Sequence, residues 1–420
     1  MNKTIKLQQL IGLTSIIPIL IIALYSCTPD KDEFDSPKMV THEIVLHAPL
    51  NLKNIQLIKA KTILTNIRTN KKYIIKDFKQ KGNDFITSFQ IPQGLYNIEV
   101  VGSINNTINE NKIQSTVKAQ KDDVKILSDT GEDLKTEISL TTYSAKDGLV
   151  ISEIFFTGTT TPAGFMYTDD QYIKIGNNSD TTMYADGVAF IESFFTSDDK
   201  HDYKPDIMNE AMTIVAIYVI PGSGKDVPIK PGKEITIALT AIDHRPINPN
   251  SFDLSKAEFE IYDKTSHIEG DRDNPKVPNL INWYANFSGT FVMHTRGVKS
   301  YAIAKPMVDM KTYMTKYRYR FGYIFRQGDI VVPMNEYEYY MPNQWIIDAV
   351  NLAVPTVHEW NLVSPVLDKG FTYCGHVDFD ETRYNKSVIR KKEGNKWIDT
   401  NNSTNDFIPN AVPSYLRNKK

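Results

Sequence analysis

Residues 148–158 read GLVISEIFFTG, an apolar run rich in Ile, Val and Phe with glycine at both ends. Such a run is a buried β-strand. Behind it, residues 170–180 read DQYIKIGNNSD. Tyr172, Lys174 and Gly176 alternate there with Ile173 and Ile175, the period of a half-buried strand. Asn177, Asn178, Ser179 and Asp180 then end it with turn chemistry. A strand pair therefore opens the larger part of the chain, and later strands have to complete its sheet. With 41% hydrophobic and 23% charged residues in a chain of 420, there is material for a packed core and for two or three domains.

Ahead of that pair lie short β-prone runs at 40–46, 55–64, 72–76, 85–91, 96–101, 113–117, 124–127 and 134–140, separated by Asn, Lys, Gly and Pro clusters. This is the spacing of a β-sandwich. In IPQGLYNIEV, residues 91–100, Pro92 and Gly94 mark a turn. Tyr96 can then turn its ring inward while its hydroxyl meets backbone. The motif resembles the end of the prealbumin-like carboxypeptidase-regulatory module, with Ile98 where that module has Val; in relatives such modules act as spacers or docking domains.

The opening strands, with Gly187 after a short turn, resemble the start of the lamin-tail domain, an immunoglobulin-like β-sandwich. Pro231, Gly232 and Lys233 leading into EITIA, WIIDAV at 345–350, SVIR at 387–390 and KWIDTNNSTNDF at 396–407 resemble its later strands and its closing run. Taken together the chain resembles a Bacteroidetes surface lipoprotein family labelled domain of unknown function 4876. That resemblance implies an all-β chain of two β-sandwich domains, one prealbumin-like over 39–145 and one lamin-tail-like over 146–420 with an insertion at about 195–341. It also implies capture of a nutrient at the cell surface beside a TonB-dependent outer-membrane receptor.

The N-terminus carries an address. Lys3 and Lys6 precede an apolar run from Leu10 to Leu24 that contains Pro18, and Leu24, Tyr25, Ser26 and Cys27 form a lipobox. The run is too short for a membrane span. Residues 1–26 are thus expected to be a lipoprotein signal peptide, Cys27 the lipidated residue, and 27–38 an acidic tether; the sequence after Cys27, TPDKDE, resembles the signal that sends such lipoproteins to the outer face of the outer membrane. Acyl chains would anchor the body by apolar burial alone. An ordinary secretory signal with an incidental Cys is the competing reading. Formal net charge is -2, about -4 once Lys3 and Lys6 are removed. No nucleic-acid surface is expected from that balance. Cys27 and Cys374 are the two cysteines, so lipidation leaves no intrachain disulfide, and Cys374 reads as a small buried hydrophobe.

Four stretches carry candidate chemistry. In KYRYRFGYIFR, residues 316–326, odd positions are aromatic. A strand would set Tyr317, Tyr319, Phe321 and Tyr323 with Phe325 on one face, a stacking platform for a planar or sugar ligand, and Arg318 and Arg320 on the other. Glu336, Tyr337, Glu338, Tyr339 and Tyr340 could form the facing strand, carboxylates opposite arginines. The competing reading is a core-facing strand with its arginines in solvent. In FTYCGHVDFD, residues 371–380, a regular strand would align Cys374, His376, Asp378 and Asp380 as ligands for a divalent metal, or as a solvated face. Asp263, His267, Glu269, Asp271 and Asp273 crowd one loop, but without the D-x-D-x-D-G order of a calcium loop. Residues 221–226, PGSGKD, lack the earlier Gly and the Ser or Thr of a phosphate loop and read as a hairpin turn. Neither G-x-S-x-G nor H-E-x-x-H occurs. The expectation is therefore a non-catalytic, ligand- or partner-binding lipoprotein without a cofactor; a surface hydrolase or metal-dependent enzyme and a structural adhesin are the alternatives.

Overall fold

Alternation of apolar and polar residues builds the first sandwich. The computed structural model describes residues 38–49, 53–108, 111–127, 134–143, 148–263, 271–287, 289–328 and 330–417. The leader, Cys27 and the tether to residue 37 lie outside the described residues, as do His267 and Glu269. Strand Met39–His47 pairs antiparallel with Asp84–Pro92 and parallel with Lys135–Ser139. Facing that sheet, Gly94–Ile108 and Asn111–Ile126 form a long hairpin beside Lys53–Asn66. Ile44, Leu46, Leu64, Phe85, Tyr96, Ile98 and Ile126 fill the space between. Tyr96 is fully buried and its hydroxyl donates to the Pro92 carbonyl at 2.6 Å. The two runs expected at 113–117 and 124–127 are one strand, Asn111–Ile126.

Residues from 148 onward fold into two further sheets. One has the order Phe259–Glu260, Glu234–Ala238, Tyr172–Asn177, Leu149–Phe155, Ser387–Arg390, Phe407–Ala411. The other runs Arg318–Gln327, Ile330–Pro342, Ala211–Val219, Ala189–Ser193, Ser300–Ala304, Ile346–Asn351, with Ile281–Ala285 also on Ala211–Val219. Ile151, Ile173, Ile237 and Val388 from the first sheet meet Phe190, Tyr218, Tyr301 and Val350 from the second in a common core. The chain is thus all-β, built as sandwiches, and no described strand pairs across residues 144–147.

The sheet order corrects two expectations. Tyr172–Asn177 is buried on both faces, because Phe252, Leu254 and Tyr415 cover the side expected to face water. Lys174 tolerates this position through Glu234 at 3.1 Å and Glu153 at 3.9 Å. Residues 195–341 are not a block added to a finished sandwich, since Ala211–Val219, Glu234–Ala238 and Ser300–Ala304 are interior strands. The wholly buried run AMTIVAIYV is the physical reason: an apolar strand of that length belongs at the centre of a sheet.

A carboxyl group is buried beside the common core. Glu192 is buried, and burial pushes its carboxyl up to about 7, with Lys299 and the Tyr301 hydroxyl opposing the rise. The folded chain therefore keeps a proton there that the unfolded chain releases, so this stabilisation is complete below the unfolded pKa and disappears as pH rises through the folded one. The cost by pH 8 is on the order of 2–3 kcal/mol. Glu192→Gln is expected to flatten this dependence: its melting temperature should gain on the parent's between about pH 4.5 and 8. Parallel melting curves across that range would contradict the assignment.

Candidate functional site

The aromatic ladder is split by a helix end. Asp309 caps helix Met310–Lys316 by accepting from the Thr312 N–H at 3.0 Å, and Tyr317 ends that helix. Its ring stacks on Tyr313 at 5.3 Å, leans on Trp345 at 4.8 Å and lies 5.6 Å from that of Tyr340 on Ile330–Pro342. On Arg318–Gln327 the odd side chains do share one face, with Tyr319 to Phe321 at 5.3 Å and Phe321 to Tyr323 at 6.4 Å. The facing strand is Ile330–Pro342, but its register sets Tyr339 opposite Arg318 and Tyr337 opposite Arg320, while Glu338 and Glu336 oppose Tyr319 and Phe321. The expected carboxylate–arginine pairing is off by one residue, which moves every side chain to the other face. Arg318 instead lies 5.5 Å from the Tyr337 ring and 5.6 Å from that of Tyr339.

A loop then covers the ring-bearing face. After Ala189–Ser193 come Phe194 and Phe195, and Lys204 exchanges backbone hydrogen bonds with Gly322, both 2.9 Å, so the loop adds a short bridge to the free edge of Arg318–Gln327. Phe195 packs 4.2 Å from Tyr203, 5.4 Å from Phe321 and 5.6 Å from Trp360. Tyr203 stacks on Trp360 at 5.7 Å, whose indole N–H donates to the Thr196 carbonyl at 2.8 Å. His201 stacks on Tyr323 at 4.7 Å.

Between this loop and the sheet is a cleft of about 480 Å³. Phe195, Tyr203, Tyr319 and Trp360 supply aromatic walls, Ile207, Met208 and Leu362 apolar surface, and Lys200, His201, Asp202 and Asp206 polar groups. Tyr319 shares a hydrogen bond with Thr213 at 2.6 Å. Burial pushes its hydroxyl up to about 12 despite that bond, and burial likewise raises Tyr203. Both hydroxyls stay protonated at neutral pH. Ring faces beside hydroxyl and carboxylate groups suit a flat-faced ligand with polar edges.

Of the ladder residues, Tyr319 lines the cleft; Phe321 is buried beneath it and Tyr323 supports His201, whereas Tyr317, Arg318 and Arg320 lie elsewhere. Phe195, Tyr203, Thr213 and Trp360 were not expected. Their signals were weak ones, the Phe194–Phe195 doublet at a strand end and a single Trp after His358 and Glu359.

The second candidate set does not form a strand. Gly375 and Phe379 take positive φ, +80° and +56°, and turn the chain twice within 371–380. Asp378 faces Arg296 at 2.7 Å. Asp380 caps the short turn Glu381–Arg383 by accepting from the Thr382 N–H at 2.8 Å, and also accepts from the His376 N–H at 3.2 Å. Cys374 is buried, which pushes its thiol up. Among the described residues no three His, Cys, Asp or Glu side chains gather as a metal-ligand set. Residues 221–226 are a turn organised by Asp186, which accepts from the N–H groups of Gly224, Asp226 and Val227 at 2.8–2.9 Å. Those donors are therefore occupied by a carboxylate of the chain itself.

No curated protein matches the chain. A solved structure of a DUF4876 family protein from Bacteroides thetaiotaomicron VPI-5482 is similar at 19% identity and a TM-score of 0.52, over 90% of this chain and 97% of that one. A second, from Parabacteroides distasonis ATCC 8503 and provisionally assigned to cell adhesion, aligns at 9% identity and a TM-score of 0.20, over 73% and 84% of the two chains, and carries no weight for the fold. The model of a family described as protein of unknown function, DUF4876, matches residues 230–414, from just before Glu234–Ala238 to just past the closing strand. The chain is thus similar to the DUF4876 family over residues 230–414 and shares the fold of a solved member of that family.

Proposed function

We propose that this chain is a non-catalytic binding protein of the cell surface. It is tethered through lipid on Cys27, takes a small flat-faced ligand into the cleft beside Trp360, and serves a TonB-dependent outer-membrane receptor. The cleft carries the reading: about 480 Å³ walled by Phe195, Tyr203, Tyr319 and Trp360 is within the range of small-molecule sites. Aromatic rings with carboxylates at the margin favour a sugar ring or a molecule of similar shape over a bulk apolar ligand. The lipobox and the acidic segment after it support the address, and the family resemblance supports the receptor.

The full chain with Cys27→Ser tests the address first; it should leave the salt-washed membrane fraction, and retention through that wash would refute lipid anchoring. That soluble form is then titrated with sugars and aromatic compounds while tryptophan fluorescence is followed, since Trp360 forms one wall. Tyr203→Ala removes a ring stacked on it and is expected to weaken binding about ten-fold. No saturable response with any compound, or unchanged affinity in Tyr203→Ala, would remove the cleft from consideration. Affinity isolation of the tagged lipidated chain should recover a TonB-dependent receptor; its absence counts against that part of the proposal.

A further inference from the structure

We infer that Lys299 is a latch on the wall of the cleft and that the buried Glu192 releases it, so that the wall is fixed while Glu192 is protonated and loosened once it is charged. The wall begins where strand Ala189–Ser193 ends, since Phe194 and Phe195 follow directly. Lys299 Nζ donates to the carbonyls of Ser193 and Phe194 at 3.1 and 2.5 Å. The next residue adds to the grip: the Ser300 N–H donates to the Ser193 hydroxyl at 3.0 Å, and that hydroxyl donates to the Phe195 carbonyl at 3.0 Å. Further along, the Ser197 N–H donates to the Val298 carbonyl at 2.9 Å and Arg296 meets Asp198 at 2.8 Å. Segment 296–300 therefore holds the start of the loop that carries Phe195, Lys200 and Tyr203 to the cleft.

Glu192 immediately precedes Ser193 and lies opposite Tyr301 in the sheet. Its Oε2 is buried without a hydrogen-bond partner among the described residues. The charges acting on Lys299 are those of Glu192, Asp198 and Glu338. Asp198 is held by Arg296, and Glu338 accepts from the Tyr284 hydroxyl at 2.7 Å and the Asn286 amide at 2.8 Å, which leaves Glu192 with the unpartnered oxygen. Tyr218 and Tyr301, whose hydroxyls feel Glu192, stay uncharged near neutral pH, as does His294, whose backbone N–H donates to the Tyr301 hydroxyl at 2.9 Å. A protonated Glu192 leaves the ammonium on the two carbonyls. Once ionised, Glu192 offers a full charge where the carbonyls offer dipoles, and in a buried setting the charge is the stronger partner. Lys299 then turns to Oε2, and the Ser193 and Phe194 carbonyls lose their donor. Burial keeps the proton on Glu192 up to about 7, so the change falls across neutral pH. Any effect on ligand rests on the cleft being the binding site proposed above; the movement of its wall does not.

The experiment is hydrogen exchange on the full chain with Cys27→Ser, without ligand, so that a cleft that binds nothing would leave the result intact. Amides 194–206 are followed by mass spectrometry, corrected for the intrinsic rate at each pH, at labelling times over which strand Ala211–Val219 stays unexchanged. Their protection is expected to fall roughly ten-fold from pH 6 to pH 8. Glu192→Gln should keep the pH 6 protection at pH 8, and Lys299→Met should show the lower protection at both. Equal protection of the parent at the two pH values overturns the inference, and so does a fall that persists in Glu192→Gln or a wall as well protected in Lys299→Met as in the parent at pH 6. Where Lys299→Met loses the protection of Ala211–Val219 and so fails to fold, the comparison of the parent with Glu192→Gln decides by itself.

Discussion

Replacing Arg390 with Met should cost about 3–5 kcal/mol and leave little folded second sandwich at growth temperature. Arg390 is 3% exposed at the end of Ser387–Arg390. Its guanidinium reaches Asp348 at 2.5 Å, Asp399 at 3.4 Å and Asp406 at 3.6 Å, and its Nε donates to the Ile151 carbonyl at 2.8 Å. Those four partners belong to the opposite sheet, the loop before the closing strand and the opening strand. Burial alone would lower the pKa of the guanidinium, but the three carboxylates reverse the effect and raise it. Met fills similar volume, so the expected loss comes from stranding the carboxylates in the core. Asp348 accepts also from the Ile151 N–H at 2.7 Å, and Asp406 from the Thr400 N–H at 2.9 Å; these bonds do not balance their charge. The control is Arg390→Met combined with Asp348→Asn, which should be more stable than Arg390→Met alone, since one stranded charge is gone. All four tryptophans lie at or beyond Trp283, so the fluorescence-detected urea midpoint reports this sandwich. A midpoint close to the parent's for Arg390→Met would show that the network is not what joins the sheets.

The same residues show what was legible from sequence. SVIR was marked by the family resemblance, whereas the Asn- and Asp-rich closing run was legible as ordered turn because its chemistry is local: Asn402 accepts from the Thr404 N–H at 3.1 Å and starts the short helix Ser403–Asp406. Strand identity along 148–187 was equally legible from periodicity. What periodicity leaves open is which face, and how many, will be covered. Lys174 looked solvent-facing because its partner Glu234 is sixty residues away, and Tyr172 because Tyr415 lies near the far end of the chain. Alternation also fails wherever backbone turns interrupt it, as Gly375 and Phe379 do in 371–380. The cleft was least legible: Tyr203, Thr213, Tyr319 and Trp360 come from separate segments, and tertiary pairing alone brings them together.

Trp397→Ala is the second large loss expected, about 3–5 kcal/mol, and its dependence on Gly176 is the sharper test. Trp397 is 4% exposed and lies flat over Gly176. A Cβ at 176 would come within 2.6 Å of Cη2 and 2.8 Å of Cζ2 and Cζ3 of the indole. The backbone fixes the ring there, for the Trp397 N–H donates to the Asn178 side-chain oxygen at 2.8 Å and the Asn178 amide donates back to the Trp397 carbonyl at 3.0 Å. Lys392 lies over the ring at 3.9 Å. Gly176→Ala alone should therefore destabilise by overpacking, about 1–3 kcal/mol. In the Trp397→Ala background the same methyl meets a void, so its cost should vanish or change sign. The coupling between the two substitutions is expected to be about 1–3 kcal/mol. Urea unfolding of the two single variants and the double variant measures it. Additive costs would mean that the ring does not rest on Gly176.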